Sequence, residues 1–146
     1  MAVLSHDEAE HLFGLKKTPL TDSIEWQPLE GGFLNLQFAV RCEDGTGLDV
    51  RGWYNPKTGK YGFALLHAGV YTIRRWDKKS GHRDPISHMT IRGPHKHYHH
   101  EDFGDSPASE TQDVDSADVN RGLRDFLKEC KVELGKTVIR PLLGSE

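Results

Sequence analysis

Six of the nine histidines of this 146-residue chain fall between Gly81 and His100, and Pro94-His95-Lys96-His97-Tyr98-His99-His100 holds four of them. Just upstream stands Arg74-Arg75-Trp76-Asp77, and just downstream Gly104-Asp105. Three chemistries fit these residue types. The first is general acid–base cleavage of RNA through its 2′-hydroxyl, which needs a base, an acid and a cation for the phosphate. Histidine serves either proton role because its ordinary pKa of ~6.5 leaves both forms populated near neutrality. His95 and His97 are two apart, so on a strand they share a face with ~6.5–7 Å between them, room enough to flank a phosphate. Arg75 suits a bidentate phosphate clamp, Asp77 an orienter of one imidazole, and His82 a third proton-transfer candidate. Arg74, Lys96 and Tyr98 are candidates for substrate binding.

The second chemistry is metal ligation. His82, His95, His97 and Asp105 form a reasonable ligand set for zinc or another divalent first-row ion. The acid–base reading needs no cofactor. The third reading is a non-catalytic interaction surface, such as that of a phage or antidefence accessory factor binding a partner or nucleic acid through a solvated, basic loop. Tyr71–His100 carries seven Lys/Arg against two acids, a local +5 in a chain of net charge −3. The following Glu101–Asn120 has seven acids and no Lys or Arg. Adjacent and opposite in sign, the acidic stretch is a candidate mask for the basic one.

The elements that must position these residues are legible in outline. Ser5-His-Asp-Glu8 is a capping box, with Leu4 as its staple, so a helix is expected at 6–14. Lys16–Glu30, with its prolines, should be irregular apart from a short edge strand near Ile24 and Trp26. Leu34, Leu36, Phe38 and Val40 alternate as one face of a strand. Strands then follow at 48–54, 61–67 and 70–76, joined by Asp44-Gly45 and Asn55–Gly59 turns, an antiparallel meander. Trp53 and Trp76 are read as core residues ahead of base-stacking platforms. Segment 95–99 is either a strand or an ordered loop, and 102–113 is turn-like. Asp115 or Ser116 should cap a C-terminal helix whose Val119, Leu123, Phe126, Leu127 and Cys130 form one stripe. A short strand is possible at 137–140.

The expected architecture is a single two-layer α+β domain over 1–146: a short N-terminal helix, an antiparallel sheet of four to six strands, and an amphipathic C-terminal helix packed on it. Residues 1–4 and 135–146 are expected to be loose ends. No apolar run approaches the ~20 residues of a membrane span, and Met1–Glu8 has no signal-peptide pattern. With Cys42 and Cys130 far apart, reduced half-buried thiols and a cytoplasmic location are expected.

The order Arg74-Arg-Trp-Asp77, Gly81-His82, Pro94-His-Lys-His97, acidic linker, amphipathic helix resembles the TumE-like toxins of bacterial toxin–antitoxin modules, over about residues 71–130. It is similar also to a related bacterial family with the order Arg-x-Asp, His, His-x-His, Gly-Asp. The resemblance implies a small toxin acting on RNA, neutralised by a protein antitoxin, with Arg75, Asp77, His82, His95 and His97 as the matching site positions. Relative to the family pattern, Lys78-Lys79-Ser80 replaces a more amide-rich turn, and Ile86–Arg92 lengthens the gap between His82 and His95.

Overall fold

The computed structural model describes residues 4–78, 82–83, 90–91, 94–98, 108–110 and 118–141, with side chains at 4–76, 96 and 118–141. In chain order the elements are α1 (His6–Gly14), β1 (Lys17–Pro19), β2 (Ser23–Ile24), β3 (Gln27–Pro28), a 3-10 turn (Glu30–Gly32), β4 (Leu34–Cys42), β5 (Gly47–Asn55), β6 (Lys60–His67), β7 (Tyr71–Lys78), β8 (His82–Arg83), β9 (Thr90–Ile91), β10 (Pro94–Tyr98), β11 (Ala108–Glu110), α2 (Val119–Glu129) and β12 (Val138–Ile139). The main sheet runs β1-β4-β5-β6-β7-β10-β11, with β3 also on β4. All its pairings are antiparallel, so the fold is α+β, as the strand alternation and short turns imply. The sheet is wider than the expected four to six strands because short segments dock on its edges. Part of the irregular Lys16–Glu30 stretch supplies β1 and β3, and part of the turn-like acidic stretch supplies β11.

The core forms where one face of the sheet meets both helices. Leu36, Phe38 and Val40 of β4, Leu48 and Val50 of β5, Phe63 and Leu65 of β6, and Ile73 and Trp76 of β7 are buried together with Leu123, Phe126 and Leu127 of α2 and Ala9 and Leu12 of α1. Phe126 lies 5.6 Å from Phe63 and meets Trp76 edge-on at 5.3 Å. Ser5 caps α1 and accepts from the Glu8 amide as the capping box requires. The cap of α2 is Asp118, not Asp115 or Ser116: its carboxylate accepts from the Asn120 amide at 2.9 Å. Asp118 directly precedes the apolar stripe, so it satisfies the first-turn donors without extending the helix past its buried face.

Two cross-links hold α2 to the sheet. At its C-terminal end the Glu129 carboxylate accepts from Trp76 Nε1 at 2.6 Å and pairs with the Lys96 ammonium, which also lies over the Trp76 ring. In its middle, Gly122 lets Tyr61 approach so closely that a Cβ there would fall 2.6 Å from Tyr61 Oη and 2.8 Å from the ring. Tyr61 is fully buried and its ring cannot swing away. Gly122→Ala is therefore expected to destabilise the fold by about 1–3 kcal/mol through overpacking, despite the ~1 kcal/mol gained in helix propensity. A denaturant midpoint equal to the wild type's would contradict this packing.

Cys42 and Cys130 are fully buried free thiols rather than half-buried ones. Burial pushes Cys130 up to about 12 and raises Cys42 as well. Within 135–146, Val138–Ile139 pairs in parallel with Ser23–Ile24, so this part of the C-terminal stretch is tied down and not a loose end. Among the described residues no helix is long and apolar enough to cross a membrane.

Candidate functional site

The register of β10 on β7 decides how the histidine stretch is placed. Pro94–Tyr98 is a strand, and its positions pair His95 with Asp77, Lys96 with Trp76, His97 with Arg75 and Tyr98 with Arg74. Residues directly opposite in an antiparallel pair have Cα atoms ~4.5–5.5 Å apart. The four positions 75, 77, 95 and 97 thus form one cross-strand quartet. On the far side of β10, β11 sets Glu110 beside His95 and Ala108 beside His97.

Strand parity separates this quartet from the other candidates. Trp76 is buried on the helix side, and Lys96 stacks on it. Positions alternating with them, 75, 77, 95 and 97, therefore belong to the opposite face of the sheet. Lys96 and Arg74 share the helix-side face. Lys96 is held by Glu129, and Arg74 pairs with Glu10 of α1 at 3.2 Å while its guanidinium lies 4.0 Å over the Phe13 ring. Both are mostly buried in these contacts and join helices to sheet. Tyr98, in register with Arg74, has their parity. His82 is in a separate two-stranded ribbon, opposite Ile91. Asp105 and the Gly104-Asp105 pair lie outside the described residues, as does most of the Glu101–Asp118 stretch proposed as a mask. The metal alternative rests on His82, His95, His97 and Asp105, whose side chains all lie outside those described. Among the described residues no cluster of three potential ligands occurs.

The face carrying the quartet continues across the sheet. Through β6 and β5 to β4, Arg75 is followed by Ala64, Arg51 and Gln37, and Asp77 by Gly62, Trp53 and Asn35. A cleft of about 260 Å³ lies here, lined by Asn35, Gln37, Arg51, Trp53, Ala64 and Arg75 and, from the core-facing positions, by Leu36, Gly52 and Phe63. Trp53 stands outside the core cluster, which corrects the expectation that it is a core residue; Trp76 fulfils the same expectation. The signal for Trp53 was present in β5, since Leu48, Val50 and Gly52 occupy the core-facing positions and Trp53 falls on the other parity. Arg51, Asn35 and Gln37 alternate with core residues in the same way and carry no motif. A larger cleft of about 670 Å³, at the C-terminal ends of the two helices, is lined among the described residues by no His, Cys, Ser or Thr.

No curated protein and no solved structure matches the chain significantly. The family model described as Toxin TumE matches residues 11–134. That span begins sixty residues ahead of the Tyr71 at which the motif resemblance starts, and takes in the last turn of α1, the whole of the main meander and α2. The match thus covers the sheet that carries the quartet together with α2 and the end of α1 packed behind it, and this chain belongs to the TumE toxin family.

Proposed function

We propose that this protein is the toxin of a bacterial toxin–antitoxin module and that it cleaves RNA by metal-independent acid–base chemistry. The observation that carries the reading is the β7–β10 register, which sets two histidine positions opposite an arginine and an aspartate. In this scheme one of His95 and His97 takes the proton of the 2′-hydroxyl, whose oxygen attacks the adjacent phosphorus. The other gives a proton to the departing 5′-oxygen, leaving a 2′,3′-cyclic phosphate. Arg75 neutralises the phosphate oxygens as charge builds, and Asp77 is a positioning residue for the imidazole opposite it. His82 assists from the neighbouring ribbon. A protein antitoxin is the expected partner, and the cytoplasm, where RNA and antitoxin meet, the expected place of action.

Induced expression tests this directly. Growth arrest with breakdown of total RNA, relieved by the product of an adjacent small reading frame, is the expected result. Unchanged growth with intact RNA would instead favour a non-catalytic protein that binds its partner through the basic segment.

A further inference from the structure

Trp53 and Arg51 are unexplained by packing. A tryptophan carries a large apolar ring, yet Trp53 lies outside the core and only half-buried on the face that bears the quartet. Its neighbour on β6 is Gly62, which presents no side chain, and Arg51 is exposed two residues away beside Ala64. Asn35 and Gln37 flank the pair from β4. Among the described residues no acid lines the cleft, while two guanidinium-bearing residues do. An aromatic platform, cations and primary amides around one cleft are the components of a single-stranded nucleic-acid site. There a base stacks on the ring, a phosphate meets the arginine, and amides reach base edges. The cleft ends at Arg75, so it opens onto the strand pair that holds the quartet.

We propose that the cleft between Trp53, Arg51 and Arg75 is the subsite for the nucleotide next to the scissile phosphate, with its base on Trp53 and its own phosphate on Arg51. The proposal rests on the ribonuclease reading for the meaning of "scissile", but binding can be measured without cleavage. Strand spacing of ~4.7–4.9 Å sets Arg51, on β5, and Arg75, on β7, roughly 10 Å apart. Bound RNA therefore crosses the strands rather than following one of them.

The test is the affinity of the full chain for a single-stranded 2′-O-methyl oligonucleotide, which cannot be cut through its 2′-oxygen. Trp53→Leu is expected to weaken binding about tenfold or more, the usual worth of one base stacked on an aromatic ring. Arg51→Gln should reduce the slope of log affinity against log salt by about 0.7, one phosphate contact on a single strand. A merely structural residue would leave that slope unchanged. Arg51 is exposed, so its variant keeps the test decisive if Trp53→Leu fails to fold. On cleavable RNA both variants should raise KM and leave kcat near the wild-type value. Wild-type affinity and salt slope in both variants would overturn the subsite. So would loss of antitoxin binding with oligonucleotide binding intact, since the face would then belong to the protein partner. If the oligonucleotide binds through Trp53 but RNA is never cut, the subsite stands and the ribonuclease reading falls. If RNA is cut through the histidines with KM unchanged in Trp53→Leu, the subsite alone falls.

Discussion

His95→Ala and His97→Ala should each lower RNA cleavage by about 10²–10⁴-fold, the usual worth of one positioned proton-transfer group. The double variant should lose little more than the worse single one, because an acid and a base that act in one transition state are not additive. In cells the double variant should grow and keep its RNA intact where the wild type arrests. Because β10 joins the sheet through backbone register, removing these imidazoles should leave the thermal midpoint within a few degrees. The pH–rate profile should be bell-shaped, as expected when one histidine must be neutral and the other protonated. Wild-type cleavage by both single variants would end the acid–base reading. A chelator separates the remaining alternatives. Cleavage by an imidazole pair survives it, whereas complete loss would transfer His82, His95, His97 and Asp105 to the metal reading. If cleavage is absent throughout, reversal of charge at Arg75, Lys78 and Lys79 should abolish partner binding on the interaction reading, with Arg74 left in place because it ties α1 to the sheet.

The relation between sequence and structure is uneven in an instructive way. Strand alternation in β4 to β7 and the stripe of α2 were legible because each element buries one continuous face. The same alternation applied to 94–98 puts His95 and His97 on one face, but it says nothing of what stands opposite them. That depends on register across a long connection, and a one-residue slip would exchange His97 for Lys96 opposite Arg75. The roles of Arg74 and Lys96 were hidden for a related reason. In a basic stretch each cation looks equally available, and only parity and the acids Glu10 and Glu129, distant in sequence, commit these two to joining helices and sheet. Motif resemblance began at Tyr71 because chemistry-bearing residues cluster there, whereas the family match reaches back through β6 to the last turn of α1.

Lys17 is the residue whose importance the sequence conceals most, since lysine is ordinarily a surface residue. It is 1% exposed. Its ammonium donates to the carbonyls of Phe13 at 3.0 Å, Leu15 at 2.7 Å and Cys130 at 2.8 Å. These lie at the C-terminal ends of both helices, where carbonyls lack helical partners and the helix dipole favours a cation. Three acceptors need three N–H donors, which the ammonium has and the neutral amine lacks. The backbone of Lys17 reinforces the junction, donating to the Lys131 carbonyl at 2.9 Å and accepting from the Glu133 amide at 2.8 Å. Lys17→Met keeps the apolar stem and leaves three carbonyls, one buried and two partly buried, without their donor, for an expected loss of about 3 kcal/mol. For a chain of this size that lowers the thermal midpoint by about 6–12 °C. Lys17→Arg should not restore it, because a planar guanidinium cannot converge its donors on three carbonyls around one nitrogen. Burial lowers the Lys17 pKa from its ordinary 10.5. Between that lowered value and 10.5 the unfolded chain therefore binds more protons than the folded one, and this group contributes a rise in stability with pH there. Lys17→Met should lack that contribution, so the gap between wild type and variant should widen as pH climbs toward 10.5. A thermal midpoint for Lys17→Met equal to the wild type's would mean that water serves these carbonyls as well as the lysine does.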